Sequence, residues 1–201
     1  EKKVLEQKVE ERTLELKESN HKLFDALHDI KDSINYAERI QRAMLPSDVT
    51  IQKNLPKSFI LFKPRDVVSG DFYWFSHREG IDYIAAVDCT GHGVPGAFMS
   101  MVGSSLLNEI ILTMHTKDPS EILSLLNRGV QDALKQRENQ TRDGMDLALC
   151  AIDYNNKIVK YVGANRALWI IKDGATEVEE IKATKCAIGG FTDESQHYTT
   201  H

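Results

Sequence analysis

Cysteine is scarce and poorly placed for chemistry: Cys89, Cys150 and Cys186 are an odd number with no metal-type spacing. A disulfide framework or zinc cluster is thereby excluded, and reduced, buried thiols are expected in a cytoplasmic setting, that of a soluble protein or of the cytoplasmic part of a larger membrane-associated one. Six residues after each cysteine stand Pro95, Asn156 and Thr192, so no arginine follows at the spacing a cysteine-based phosphate loop requires. A basic excess is also missing, since 25 Lys and Arg face 30 Asp and Glu for a net charge of −5, which argues against nucleic acid as an obligatory partner. No apolar run reaches membrane-spanning length. Residues 1–45 contain neither glycine nor proline.

That last absence marks one long helix, rich in Glu, Lys and Leu. Val9, Thr13, Leu16, Asn20, Leu23, Leu27, Ile30, Ile34, Ala37, Gln41 and Met44 alternate by four and three, a seam of about five heptads. Asn20 falls at an a position, where one buried Asn favours a parallel dimer in fixed register. Two readings follow: a dimeric signalling helix joining an upstream sensor domain to what comes next, or a single amphipathic helix lying on its own domain. Pro46 ends the helix, so the expected division is 1–45 for the helix and 46–201 for one domain, with 46–57 as a linker and the helix from about Tyr36 on packing on the domain.

The densest chemistry lies in Arg65 to Ser100. Phe72-Tyr73-Trp74-Phe75 and Ile81 to Val87 read as two strands joined by a turn ending at Gly80. Asp71 enters the first strand and Asp88 leaves the second. A turn centred near Arg78 and Glu79 would set Asp71 opposite Ala86, one diagonal step from Asp88. Two carboxylates so close need a cation, a shared proton or a basic partner, and a hard divalent metal on oxygen ligands is the simplest resolution. Gly91, Gly93 and Gly96 then let the backbone approach something closely.

Val68-Ser69-Gly70-Asp71-Phe72-Tyr73, together with the run from Val87-Asp88-Cys89 through Gly91-His92-Gly93 to Ser100, resembles the two metal-binding motifs of SpoIIE-type bacterial members of the metal-dependent (PPM) serine/threonine protein phosphatases. Ile40-Gln41-Arg42-Ala43-Met44-Leu45-Pro46 resembles the segment entering that catalytic domain. The resemblance implies two divalent cations, Mn²⁺ or Mg²⁺, bridged by Asp88, with Asp71 and the backbone carbonyl of Cys89 nearby. It implies a further acidic group from the Arg142–Asp146 segment, Asp146 in preference to Asp143, and an activated water as the nucleophile. Arg65 would clamp the phosphate or is an ordinary surface arginine; His92 would protonate the leaving oxygen or only order its loop. Gly163-Ala164-Asn165 reads either as a position near the site or as a hairpin turn. The implied substrate is a phosphorylated regulatory protein of a partner-switching pathway. In the family a later strand ends in a ligating Asp-Gly pair, which this chain lacks before His201; it opens on Glu1 rather than Met, and an excerpt of a longer protein, short at its C-terminal end, is expected.

The remaining chain is expected to form a strand at Phe59–Phe62, a helix from Ala97 to about Met114, and a helix capped by Asp118 with Pro119 at its first position. Strands then follow over 147–154, 158–162, 168–171 and 177–181, turning at Asn155-Asn156 and Asp173-Gly174. This order predicts an α+β fold, an antiparallel β-sandwich flanked by helices and preceded by the long helix. Two other functions compete: a catalytically silent dimeric interaction module of the same fold, and a dinucleotide site, since Gly91, Gly93 and Gly96 also fit G-x-G-x-x-G. The latter requires a parallel βαβ unit.

Overall fold

The computed structural model describes residues 1–201. It divides into two compact units, Glu1–Ile40 and Gln41–His201. The first is one stretch of helix α1 (Lys2–Met44). Its seam residues Val9, Leu16, Leu23, Leu27 and Ile30 all stand exposed in the single chain. Same-face pairs Lys2–Glu6 and Arg12–Glu15 run along its surface and contribute only a few tenths of a kcal/mol each, roughly, as exposed helix pairs do.

In the second unit the expected linker contains a short helix, α2 (Asp48–Asn54), because Ser47 caps it by accepting the N–H of Thr50. Phe59–Phe62 is no buried strand. No strand partner reaches this run, Phe59 and Leu61 are exposed, and only Phe62 finds an aromatic neighbour, edge-on to Tyr73 at 5.5 Å.

Strands β1 (Phe72–Arg78), β2 (Ile81–Cys89), β3 (Gly144–Asp153) and β4 (Ile158–Ala164) pair antiparallel in chain order, and β7 (Ile188–Gly189) adds to the start of β3. Strands β5 (Leu168–Ile170) and β6 (Glu179–Ile181) form a separate two-stranded sheet rather than continuing the meander. Helix α3 (Gly93–Asn108) runs into a π-helical turn, Glu109–Thr113, and α4 (Pro119–Ala133) follows its Asp118 cap. Alternation along the strands sends Phe72, Trp74, Tyr83, Val87, Leu147, Leu149 and Val162 into one core with Leu107, Ile111, Ile122, Leu126 and Val130 from the helices. The segment Gly93–Thr113 is, by length and composition, apolar enough to cross a membrane, which corrects the sequence reading. Half of it is buried, and here it serves as the helix packed on the core.

Candidate active site

The β1–β2 turn sets the site. Arg78 pairs with Ile81, so only Glu79 and Gly80 remain in the turn, with φ of 50° and 79°. Two positive φ values suit a two-residue turn whose twist matches that of the strands. Tyr73 therefore faces Ala86 and Phe72 faces Val87, and one further step brings Asp71 level with Asp88. This corrects the expected diagonal placement by two residues. On the other side Asp88 pairs directly with Asp146. Since Phe72, Val87 and Leu147 point into the core, their neighbours Asp71, Asp88 and Asp146 share the opposite face of the sheet. Three carboxylates thus form a row across three adjacent strands, spaced by the roughly 4.8 Å that separates hydrogen-bonded strands.

Asp71 is held above the usual carboxylate range, by burial first and then by the charge of Asp88 and a hydrogen bond with it, while Arg166 pulls the other way. The loops around it are tightly fitted. A Cβ on Gly70 would lie 2.6 Å from the Gly91 carbonyl oxygen and 3.2 Å from that of Cys89; one on Gly96 would lie 2.7 Å from the same Gly91 oxygen. Two of the glycines singled out in the sequence therefore serve backbone approach between the Gly70 and Gly96 loops. The sheet around β2 is antiparallel on both sides, so no parallel βαβ unit supports the dinucleotide reading. Gln41, nearly buried, fastens the same corner: its Nε2 donates to Ser69 O (2.6 Å) and Ser100 Oγ (2.8 Å), and its Oε1 accepts the Ser69 N–H at 3.0 Å. Thr90 and Gly144 close the other side, with the Thr90 N–H donating to the Gly144 carbonyl and the Gly144 N–H to Thr90 Oγ1, both at 2.9 Å.

The remaining candidates fall in different places. Arg65 lies exposed on the loop before β1, with no ion pair to the row. His92 is the N-cap residue of α3; its Nδ1 meets Asp66 Oδ2 at 2.9 Å rather than a carboxylate of the row. The Asp143 carbonyl accepts from Gln136, so this residue anchors a loop, whereas Asp146 joins the row. Asn165 donates to Asp146 Oδ1 at 2.8 Å, which puts Gly163-Ala164-Asn165 beside the site. The Cys89 thiol is buried and pushed up to about 12, chiefly by burial and then by Asp88 and Asp71, and Cys150 to about 11 by burial. Neither can act as a thiolate nucleophile.

Sequence reasoning missed Arg166. Its guanidinium bonds Asp88 and lies 3.7 Å from Asp146 Oδ2. An open cavity of about 800 Å³ on this face is lined by Asp71, Asp88 and Arg166 together with apolar Tyr73, Phe75, Ile84 and Ala86. The donors fit a hard divalent cation: carboxylate oxygens, a backbone carbonyl nearby, and no competing thiolate. As they stand, no three of the His, Cys, Asp or Glu side chains are gathered closely enough to hold one.

Antiparallel strands with helices packed on their core face and acidic residues in a row on the opposite face match the fold of a PP2C phosphatase domain. The SiaA-PP2C domain of Pseudomonas aeruginosa superposes with a TM-score of 0.76 at 36% identity, over 88% of this chain and 67% of that one. The profile of the Stage II sporulation protein E (SpoIIE) family matches residues 82–201, and the chain belongs to that family. Likeness of fold extends to the PP2C phosphatase domain of SpoIIE from Bacillus subtilis, at 20% identity and a TM-score of 0.50 over 67% of this chain and 38% of that one. It extends also to a structure from work on the bacterial stressosome, at 19% identity and 0.52 over 68% and 63%. Among curated proteins no relative matches this chain.

Proposed function

We propose that this chain is the catalytic part of a metal-dependent protein serine/threonine phosphatase acting on a phosphorylated regulatory protein of a bacterial partner-switching pathway. The observation that carries the reading is the row Asp71–Asp88–Asp146, aligned by strand register on one face of the family's sheet. When bound, two Mn²⁺ or Mg²⁺ ions would supply charge neutralisation and a water acidic enough to attack phosphorus at neutral pH. Asp71, Asp88 and Asp146 would hold the cations, Asp88 from the middle strand. The Cys89 carbonyl, close against Gly70, offers a further oxygen. Asn165 fixes the Asp146 carboxylate in orientation through its amide. Arg65, six residues before Asp71, and His92, four after Asp88, are both exposed; in this reading Arg65 meets the substrate phosphate and His92 delivers a proton to the leaving seryl oxygen.

Homodimerisation through the exposed seam of α1 belongs to the same proposal, with a signal from an upstream sensor delivered as a change of dimer geometry. A cytoplasmic location agrees with three free cysteines. The test is Mn²⁺-dependent hydrolysis of a phosphoserine peptide by this chain and by a longer form of the protein. Turnover abolished by chelator and by Asp88→Asn supports the reading. Absence of turnover in both forms would leave a binding module of the same fold as the better account.

A further inference from the structure

Arg166 is delivered to the carboxylate row by a backbone with little freedom. Asn165 takes a left-handed conformation (φ 57°), its N–H donates to Thr184 O at 2.9 Å, and it bridges to Leu147 of β3. The Arg166 N–H donates to Ala164 O at 2.8 Å, and its own carbonyl accepts the buried Tyr161 hydroxyl. The turn therefore presents two side chains to the row at once: Asn165 to Asp146 and Arg166 to Asp88, with Asp146 Oδ2 within reach. A guanidinium carries a permanent charge and donors in a fixed fork, so it can satisfy two carboxylates together. Arg166 bonds one of the Asp88 oxygens that a divalent ion would also use.

We propose that Arg166 is the built-in counter-ion of the site: it holds Asp88 and Asp146 in register while metal is absent, and a divalent cation must displace it to bind. This rests on the metal-dependent reading above. A carboxylate oxygen can accept a hydrogen bond and ligate a cation at once, but a guanidinium and a divalent cation held on the same two carboxylates repel, so metal binding requires Arg166 to withdraw. Arg166 is thus a positioning residue that trades metal affinity for order in the unloaded site.

The experiment is calorimetric titration of Mn²⁺ into the metal-stripped 201-residue chain, with thermal unfolding followed in chelator. Arg166→Met should bind Mn²⁺ roughly tenfold more tightly, or better, and unfold at a lower temperature in chelator than the wild type. Arg166→Gln, which keeps hydrogen bonding without charge, should follow the methionine variant and guards against a fold failure specific to it. Arg166→Lys, which keeps the charge but loses the fork, should fall between the wild type and the neutral variants. If the wild type binds Mn²⁺ and the neutral variants bind equally or more weakly, the counter-ion role is overturned while the metal site stands. Binding by the neutral variants alone would support the role in its strongest form. Mn²⁺ binding by none of them would overturn both the metal reading and this inference.

Discussion

Asp71 shows how one register position becomes a titration. Its pKa is raised, by burial first and Asp88 second, so the folded chain holds that proton more tightly than the unfolded chain. The contribution to stability is present below the ordinary aspartate value and is lost as pH rises through the raised one. In chelator, the stability of wild type relative to Asp71→Asn should therefore fall across that interval, read from denaturant midpoints at fixed salt; a difference that does not change with pH would refute it. Metal affinity should run the other way and weaken on acidification, because ligation needs the ionised carboxylate. The cysteines offer a second residue-level test. Buried Cys89 and Cys150, raised to about 12 and about 11, should resist iodoacetamide at pH 8 in the folded chain, while half-buried Cys186 reacts first in a mass-resolved time course.

Among the elements, the corner joining the end of α1 to the Ser69 loop and α3 is held by one amide. Replacing Gln41 with Leu leaves the buried Ser69 backbone without its partners, at a cost of about 1–3 kcal/mol. Because Ser69 stands two residues before Asp71 and its Oγ accepts the Asp71 N–H at 3.0 Å, the same change should weaken Mn²⁺ binding. Equal Mn²⁺ affinity in the variant would refute the link. Locally encoded features were the legible ones. The α4 cap reads directly from Asp118-Pro119, the β1–β2 hairpin from its turn, and the Asp71–Asp88 pair from the hairpin. What escaped was long-range. The apolar run Phe59–Phe62 looks like a core strand, yet nothing pairs with it. Gln41 continues the heptad spacing, and although the end of the helix is expected to pack on the domain, its bonds to Ser69 and Ser100 were not legible. Arg166 carried no motif, because only the pairing of β3 with β4 brings it beside Asp88.

For the whole molecule the open question is assembly. A helix exposing Val9, Leu16, Leu23 and Ile30 along one seam presents the kind of apolar stripe that a second copy covers. Sedimentation should give a dimer for the wild type and a monomer for Leu23→Asp, with the thermal unfolding of Gln41–His201 unchanged. A monomeric wild type at concentrations of about 100 μM, where Kd values of practical weight would show, would remove the dimer.

The counter-ion sits far along the chain from the groups it neutralises: Arg166 is 78 residues beyond Asp88. At synthesis rates of roughly 5–20 residues per second, Asp71 and Asp88 leave the ribosome about 4–16 s before Arg166 does. Throughout that interval the guanidinium that later bonds Asp88 has not yet emerged, so the two carboxylates meet only protons and ions from the surroundings. The order of emergence gives a dissolved cation first access to the nascent pair, and the arginine arrives as its competitor.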